Sequence, residues 1–255
     1  MKKMKWLLPA VAALALLAGC QRELKTETVS LEDSVEAEGM DAACNVTCEF
    51  EYVVGGVSQE VMDAINGSII ANHILFDEAE GATDVAEAAK IWVDQQLESY
   101  RMDVDEMSGD YDDDSAWMFN FEFGRSGQFG EACKSRHLQT YNASYNEYTG
   151  GAHGMYGFGY DVYDLKTGQI ITESDLFAEG YEEGVSELLA IALDDYLAEI
   201  EESDDMIFSL PEPNGNFGVS EEGVTWTYNP YEIAPYAMGV IDLTVSWADL
   251  KPYLK

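Results

Sequence analysis

The chain has 255 residues, 47% of them hydrophobic, with 49 acidic and 13 basic side chains and a formal net charge of −36. That length and apolar share allow a sizeable folded core. So negative a balance repels nucleic acid and anionic lipid surfaces and suits a basic partner.

The first stretch reads as targeting, not fold. Lys2, Lys3 and Lys5 precede an apolar run over 6–18, shorter than the ~20 residues a bilayer span needs. A basic start, a short apolar core and small residues before a cut site make a secretory signal. Leu17-Ala18-Gly19-Cys20 resembles the lipobox of bacterial lipoproteins, in which the cysteine becomes the acylated first residue of the mature chain. The resemblance implies a signal peptide over 1–19, lipid attachment at Cys20 and a place in the cell envelope. Gln21 in place of aspartate is similar to the usual Gram-negative pattern for the outer membrane, with the protein facing the periplasm or the cell surface. Cleavage removes three lysines and no acid, leaving 10 basic and 49 acidic side chains, a net of −39. Residues 20–43 are polar, acidic and without aromatics, which predicts a flexible tether.

A strand is expected over 45–54, stopped by Gly55 and Gly56. On such a strand Cys44 and Cys48 share one face but lie too far apart to bond each other. In an oxidising envelope one of them is expected to pair with Cys133, leaving an odd thiol. With no second Cys or His pair, no metal site is expected from this spacing. Ser58 caps an expected helix over 59–76, with Val61, Ile65 and Ile69 at helical spacing. Thr83 caps another, running to about 100, with Val85, Ala89, Trp92, Val93 and Leu97 on one side. Residues 102–114 read as an acidic loop, and neither possible register supplies the glycine and closing acid of a calcium-binding EF-hand. Alternating Trp117, Phe119, Phe121 and Phe123 predict a half-buried strand over 116–123, and 124–130 a turn. Strands over 135–148 and 156–163 flank a glycine-rich segment. A turn at 164–168, a helix over 181–200, a turn at 211–218, strands over 224–228 and 240–247 and a short terminal helical turn complete the chain. Mixed helices and hairpin-linked strands without a βαβ repeat predict an α+β fold, mainly antiparallel sheets with packed helices. Two small lobes are expected, 44–160 and 161–255.

Two motifs stand out. One is Tyr148-Thr149-Gly150-Gly151-Ala152-His153-Gly154, followed by Asp164-Leu165-Lys166-Thr167-Gly168 and Asp175-Leu176-Phe177. The other is Tyr231-Glu232-Ile233-Ala234-Pro235-Tyr236-Ala237-Met238-Gly239. Together they resemble a tandem pair of domains of unknown function in bacterial envelope proteins. One such protein is a lysozyme-sensing anti-sigma factor, which carries the pair in its extracellular part; another carries it beside a peptidoglycan deacetylase domain. The resemblance covers about 45–254 and implies an α+β fold and an extracytoplasmic role in binding a ligand or protein. With no membrane-crossing helix and no deacetylase domain expected, neither relative's whole architecture is expected here.

For chemistry there is no GxSxG elbow and no HExxH, and the three histidines are far apart in sequence. His153 among glycines, with Tyr148 and Glu232, is the one arrangement that suggests a hydrolytic site. A glycine-dependent turn and a buried acid accepting backbone or tyrosine hydrogen bonds explain the same residues more simply. The glycines of 150–159 do not follow a phosphate-loop pattern, so no nucleotide and no cofactor is expected. Tyr148, His153, Tyr231, Glu232 and Tyr236 are therefore candidate ligand-binding residues, with no catalytic residue expected. The leading expectation is a non-enzymatic, lipid-anchored binding protein whose partner is a basic protein such as lysozyme. A module binding peptidoglycan or another glycan through its tyrosines is the alternative, and a hydrolase using His153 and Glu232 comes third.

Overall fold

The computed structural model describes residues 23–76, 82–107 and 113–255. The signal peptide and Cys20 lie outside the described residues. Chain contacts divide the protein into two compact units, 1–128 with 143–156 and 129–142 with 157–255. The fold is α+β, as expected. The division, however, falls inside strands, so the 129–142 segment belongs with the C-terminal unit and not with the lobe over 44–160.

The first unit begins with β1 (Lys25–Glu36), antiparallel to β2 (Ala43–Gly55) from Glu36↔Ala43 to Lys25↔Gly55. The expected tether is thus mostly strand. Val29, Leu31 and Val35 alternate to the half-buried side while Ser30, Glu32 and Ser34 face water. Their period of two carried the signal beneath the acidic composition. Side chains reinforce the pair across the ladder: Tyr52 donates to Glu27 at 3.2 Å, Ser30 to Glu49 at 3.2 Å, and Thr26 to Glu51.

Ser58 caps α1 (Gln59–Ile69) by accepting from Val61 N, and the chain continues through a π-helical turn, Ile70–Ile74. Then comes α2 (Val85–Met107), whose cap is one residue later than expected. Asp84 accepts from Glu87 N at 2.8 Å, while the Glu87 carboxylate takes both the Thr83 backbone N–H and the Thr83 hydroxyl at 2.8 Å. Buried Tyr100 and Val104 carry the helix seven residues beyond its expected end, into the acidic segment. A 3₁₀ helix, Asp113–Phe119, stands where a strand was expected, so Trp117 is exposed while Phe119 is buried. The strand β3 (Phe121–Cys133) starts later and runs through 124–130, the expected turn.

Gly124 and Gly130 belong to this strand for lack of room, since a Cβ at either would overlap the Asn146 or Asn142 side chain. β2 and β3 pair in parallel from Cys44↔Phe121 to Phe50↔Gly127. Parallel neighbours require a long crossover, which α1 and α2 supply. β4 (Leu138–Thr149) and β5 (Met155–Asp164) complete a sheet of order β1-β2-β3-β4-β5. Val46, Phe50, Val53, Ile65, Ile69, Trp92 and Leu97 are buried in this unit.

In the second unit α3 (Glu173–Leu176) is opened by a capping box between Thr172 and Asp175. Then come α4 (Glu182–Glu199), β6 (Phe217–Val219), β7 (Gly223–Tyr228), β8 (Ile241–Ser246) and α5 (Trp247–Leu250). The three strands form an antiparallel sheet of order β6-β7-β8. Val185, Leu189, Leu193 and Leu197 of α4 are buried in one core cluster with Trp226, Leu243 and Val245. Phe177 stacks on Trp226 with ring centres 5.9 Å apart.

The expected disulfide is not formed. Cys44, Cys48 and Cys133 are all free thiols and all buried. Cys44 and Cys48 do share the buried face of β2 with Val46 and Phe50. They pack as small apolar groups, which burial of a thiol permits. Burial pushes the Cys44 thiol up to about 11 and Cys48 up to about 12, the latter opposed by the Arg125 charge. Cys133 lies 3.4 Å from the Ser135 hydroxyl.

Candidate functional site

The first motif is the loop joining β4 to β5 in the first unit. Gly150 and Gly151 have φ of +84° and +98°, and a Cβ at Gly150 would come within 2.6 Å of the Met118 carbonyl oxygen. Only glycine meets both demands at 150 without displacing backbone. Tyr148 closes the loop by donating its hydroxyl to the Gly151 carbonyl at 3.1 Å. His153 is exposed, with Nδ1 2.9 Å from the Gly154 carbonyl oxygen. This is a glycine-dependent turn with its imidazole held by backbone.

The second motif lies in the second unit. Glu232 N donates to the Asn229 carbonyl at 3.0 Å, closing a four-residue turn with Pro230 in its second place and Tyr231, at φ +74°, in its third. That is a type II turn, in which the third place ordinarily belongs to glycine. Tyr231 N donates to Ala234 O at 2.9 Å, and Ile233 and Ala234 are buried beneath. Tyr231 itself is 50% exposed, its ring centre 5.9 Å from that of Tyr236.

Glu232 differs from expectation. It is exposed, and its carboxylate accepts from Asn214 Nδ2 at 3.1 Å and Asn229 Nδ2 at 3.4 Å, from neither backbone nor tyrosine. The reason is a group of asparagines that stitch this turn to β5. Asn229 accepts from Phe158 N at 2.7 Å and donates to Phe158 O at 3.0 Å. Asn216 accepts from Tyr160 N and donates to Phe158 O, both at 3.0 Å. Two side-chain amides thus satisfy backbone groups of an edge strand, as another strand would. Tyr156, Phe158 and Tyr160 are half-buried or exposed along it. Asn214 and Asn216 fall in the turn expected at 211–218, where no sequence signal sets them apart.

Glu173 was also missed. Its half-buried carboxylate accepts from Trp226 Nε1 at 2.7 Å, the Tyr181 hydroxyl at 2.8 Å and Gly215 N at 3.1 Å. It lies directly before Ser174 in the segment that carries Asp175-Leu176-Phe177, but no spacing rule marks it. Burial, followed by the hydrogen bond and charge of Glu173, pushes the Tyr181 phenol upward. Tyr228 is buried, and its hydroxyl donates to Glu212 O at 2.8 Å. Burial and three nearby carboxylates push that phenol upward as well.

Among the described residues no three His, Cys, Asp or Glu side chains gather as a metal site, and no helix is long and apolar enough to cross a membrane. Tyr148 and His153 belong to the first unit, and Tyr231, Glu232 and Tyr236 to the second.

The sequence matches no curated protein. Its structure is similar to the crystal structure of a DUF3298-family member from Bacteroides fragilis NCTC 9343, at 26% identity and a TM-score of 0.80, over 92% of this chain and 95% of that one. It is similar in fold to a DUF3298-family protein from Pseudomonas aeruginosa PAO1, at 17% identity and a TM-score of 0.68, over 93% and 97% of the two chains. Residues 174–248, from α3 into α5 and including the second motif, match the family described as "Protein of unknown function (DUF3298)".

Proposed function

We propose that the protein is a lipid-anchored extracytoplasmic binding protein, held at the outer membrane through Cys20, that docks a basic protein such as lysozyme and catalyses no reaction. The surface of the second unit carries this reading. The 84 residues between Lys166 and Lys251 hold 19 acids and no Lys, Arg or His. Exposed Glu201, Glu202, Asp204 and Asp205 directly precede Met206, Phe208 and Leu210, which are 38%, 60% and 72% exposed. Large apolar side chains at that exposure are the kind that anchor an interface once water is excluded. The carboxylates beside them steer a cationic partner and fix its orientation. The mature protein, immobilised, is expected to retain lysozyme at about 20 mM salt and to release it by about 300 mM, as screening shortens the reach of the charges. No retention at low salt sinks the reading.

Tyr231 and Tyr236 favour a second reading, a peptidoglycan or glycan site. The exposed ring of Tyr231 beside the half-buried ring of Tyr236 offers a surface on which a sugar ring stacks. Such binding is insensitive to salt and quenches tyrosine fluorescence; muropeptides that leave the fluorescence unchanged would remove it. The hydrolase reading gains no support from its own groups, because His153 is engaged by backbone and Glu232 by two asparagines.

A further inference from the structure

β8 is the last strand of its sheet, and among the described residues no strand pairs with its outer side. The hydrogen-bond directions along it follow from two bonds. Trp247 N donates to Glu222 O at 3.1 Å, the rung beyond Ser246↔Gly223, and Thr227 N donates to Asn216 O at 2.9 Å on the other side of β7. Alternation then points the backbone groups of Ile241, Leu243 and Val245 into β7. Those of Asp242 and Thr244 and the N–H of Ser246 point outward, while the Ser246 carbonyl, at the N-cap of α5, serves that helix.

Beside this edge runs a groove of about 450 Å³ between β8 and α4. Ile191, Asp195 and Glu199 rise along its helical wall, with Asp242 and Thr244 on the strand and Asp249 beyond it. Ile191 is 59% exposed. The groove therefore offers a row of outward backbone groups, apolar contacts at Leu188, Ile191 and Ala192, and four carboxylates, with no cation among its lining residues. Burial and the Asp242 charge both push the phenol of Tyr196, on the helical wall, upward.

We propose that this groove takes an extended lysine- or arginine-rich segment of a partner polypeptide, which adds to the sheet as a fourth strand beside β8. The proposal rests on the reading of the protein as a binder of basic proteins and names where and how the partner is held. Backbone ladder bonds supply affinity in this mode, and alternate side chains supply specificity. Here alternate cationic side chains on the α4 side of the sheet would meet Asp195 and Glu199, while Asp242 faces the opposite side with Thr227. A second copy of the chain is the wrong occupant, because pairing two β8 edges brings the carboxylates of two such grooves together with no cation between them. The comparable groove beside β1 in the first unit is a poorer cation site. It includes Arg101, which pairs with Glu98 at 3.3 Å, and its Asp94 is paired with Lys90.

The test uses the mature protein and an acetylated nine-residue peptide alternating lysine and valine, with amide exchange followed by NMR. Bound peptide is expected to slow exchange at Asp242, Thr244 and Ser246 by about tenfold or more and to leave Leu243 and Val245 unchanged. N-methylating alternate peptide residues, which leaves the protein untouched, is expected to weaken binding about tenfold or more. Asp195→Asn with Glu199→Gln should flatten the salt dependence. Binding that survives N-methylation, or that protects none of the three amides, overturns the proposal. Lysozyme retained in a parallel column while the peptide fails to bind overturns the groove and leaves the proposed function standing. Peptide captured at β8 without lysozyme retention upholds the groove and removes lysozyme as the partner.

Discussion

At position 231 a tyrosine stands where a type II turn ordinarily takes glycine. Its φ of +74° brings Cβ against the carbonyl oxygen, at a cost of about 1–2 kcal/mol for an L-residue. Pro230 fixes the second place of the turn, and the turn sets the strained residue between two anchors, the Asn229 amide on β5 and buried Ile233. Replacing Tyr231 by alanine keeps the strain and removes the ring; replacing it by glycine removes both. Tyr231→Gly is therefore expected to be more stable than Tyr231→Ala by about 1 kcal/mol in urea unfolding, the reverse of the usual order of these residues. The usual order would show that the backbone relaxes away from the positive φ. The rigidity of this segment is written in the sequence, since Pro230 and Pro235 each fix φ. The sequence did not show that Glu232 would be exposed and bound by asparagines, because Asn214 and Asn229 come from separate turns.

Among the elements, β1 separates composition from pattern most clearly. Acidic, aromatic-free residues predict a solvated tether, yet β1 pairs with β2 along its full length. β2 carries buried Cys44, Val46, Cys48 and Phe50, and only a paired neighbour on its other side completes its ladder. Deleting residues 25–36 from the mature protein is expected to cost about 3 kcal/mol or more, from half-buried Val29, Leu31 and Val35 together with the lost ladder. Thermal unfolding and the yield of soluble monomer measure this, and a truncated protein as stable as the parent would restore the tether reading. Other elements were legible from period alone: α4 from Val185, Leu188, Leu189, Ala192 and Tyr196, β8 from Ile241, Leu243 and Val245. The strand expected at 116–123 held only from Phe121, because the 3₁₀ helix before it has a period of three and separates buried Phe119 from exposed Trp117, which alternation had placed on one face.

For the molecule as a whole, charge is the dominant long-range term. A net of −36 repels itself most strongly in the compact state, and salt screens that repulsion. The melting temperature is expected to rise by roughly 3–6 °C between 20 and 300 mM sodium chloride, while binding of a basic partner weakens over the same range. A melting temperature unchanged by salt would mean that the acids are spaced widely enough for water to screen them unaided. The sequence by itself determined this charge, the α+β class, most element positions and the glycines of the first loop, because each is written in local composition, period or turn chemistry. Only the tertiary structure decided that β1 is a strand, that β2 and β3 run parallel, that the cysteines stay unbonded, that Glu173 gathers three donors and that β8 ends its sheet. Each of these depends on which distant segments become neighbours, and a residue's own sequence surroundings carry no record of the partner across the sheet.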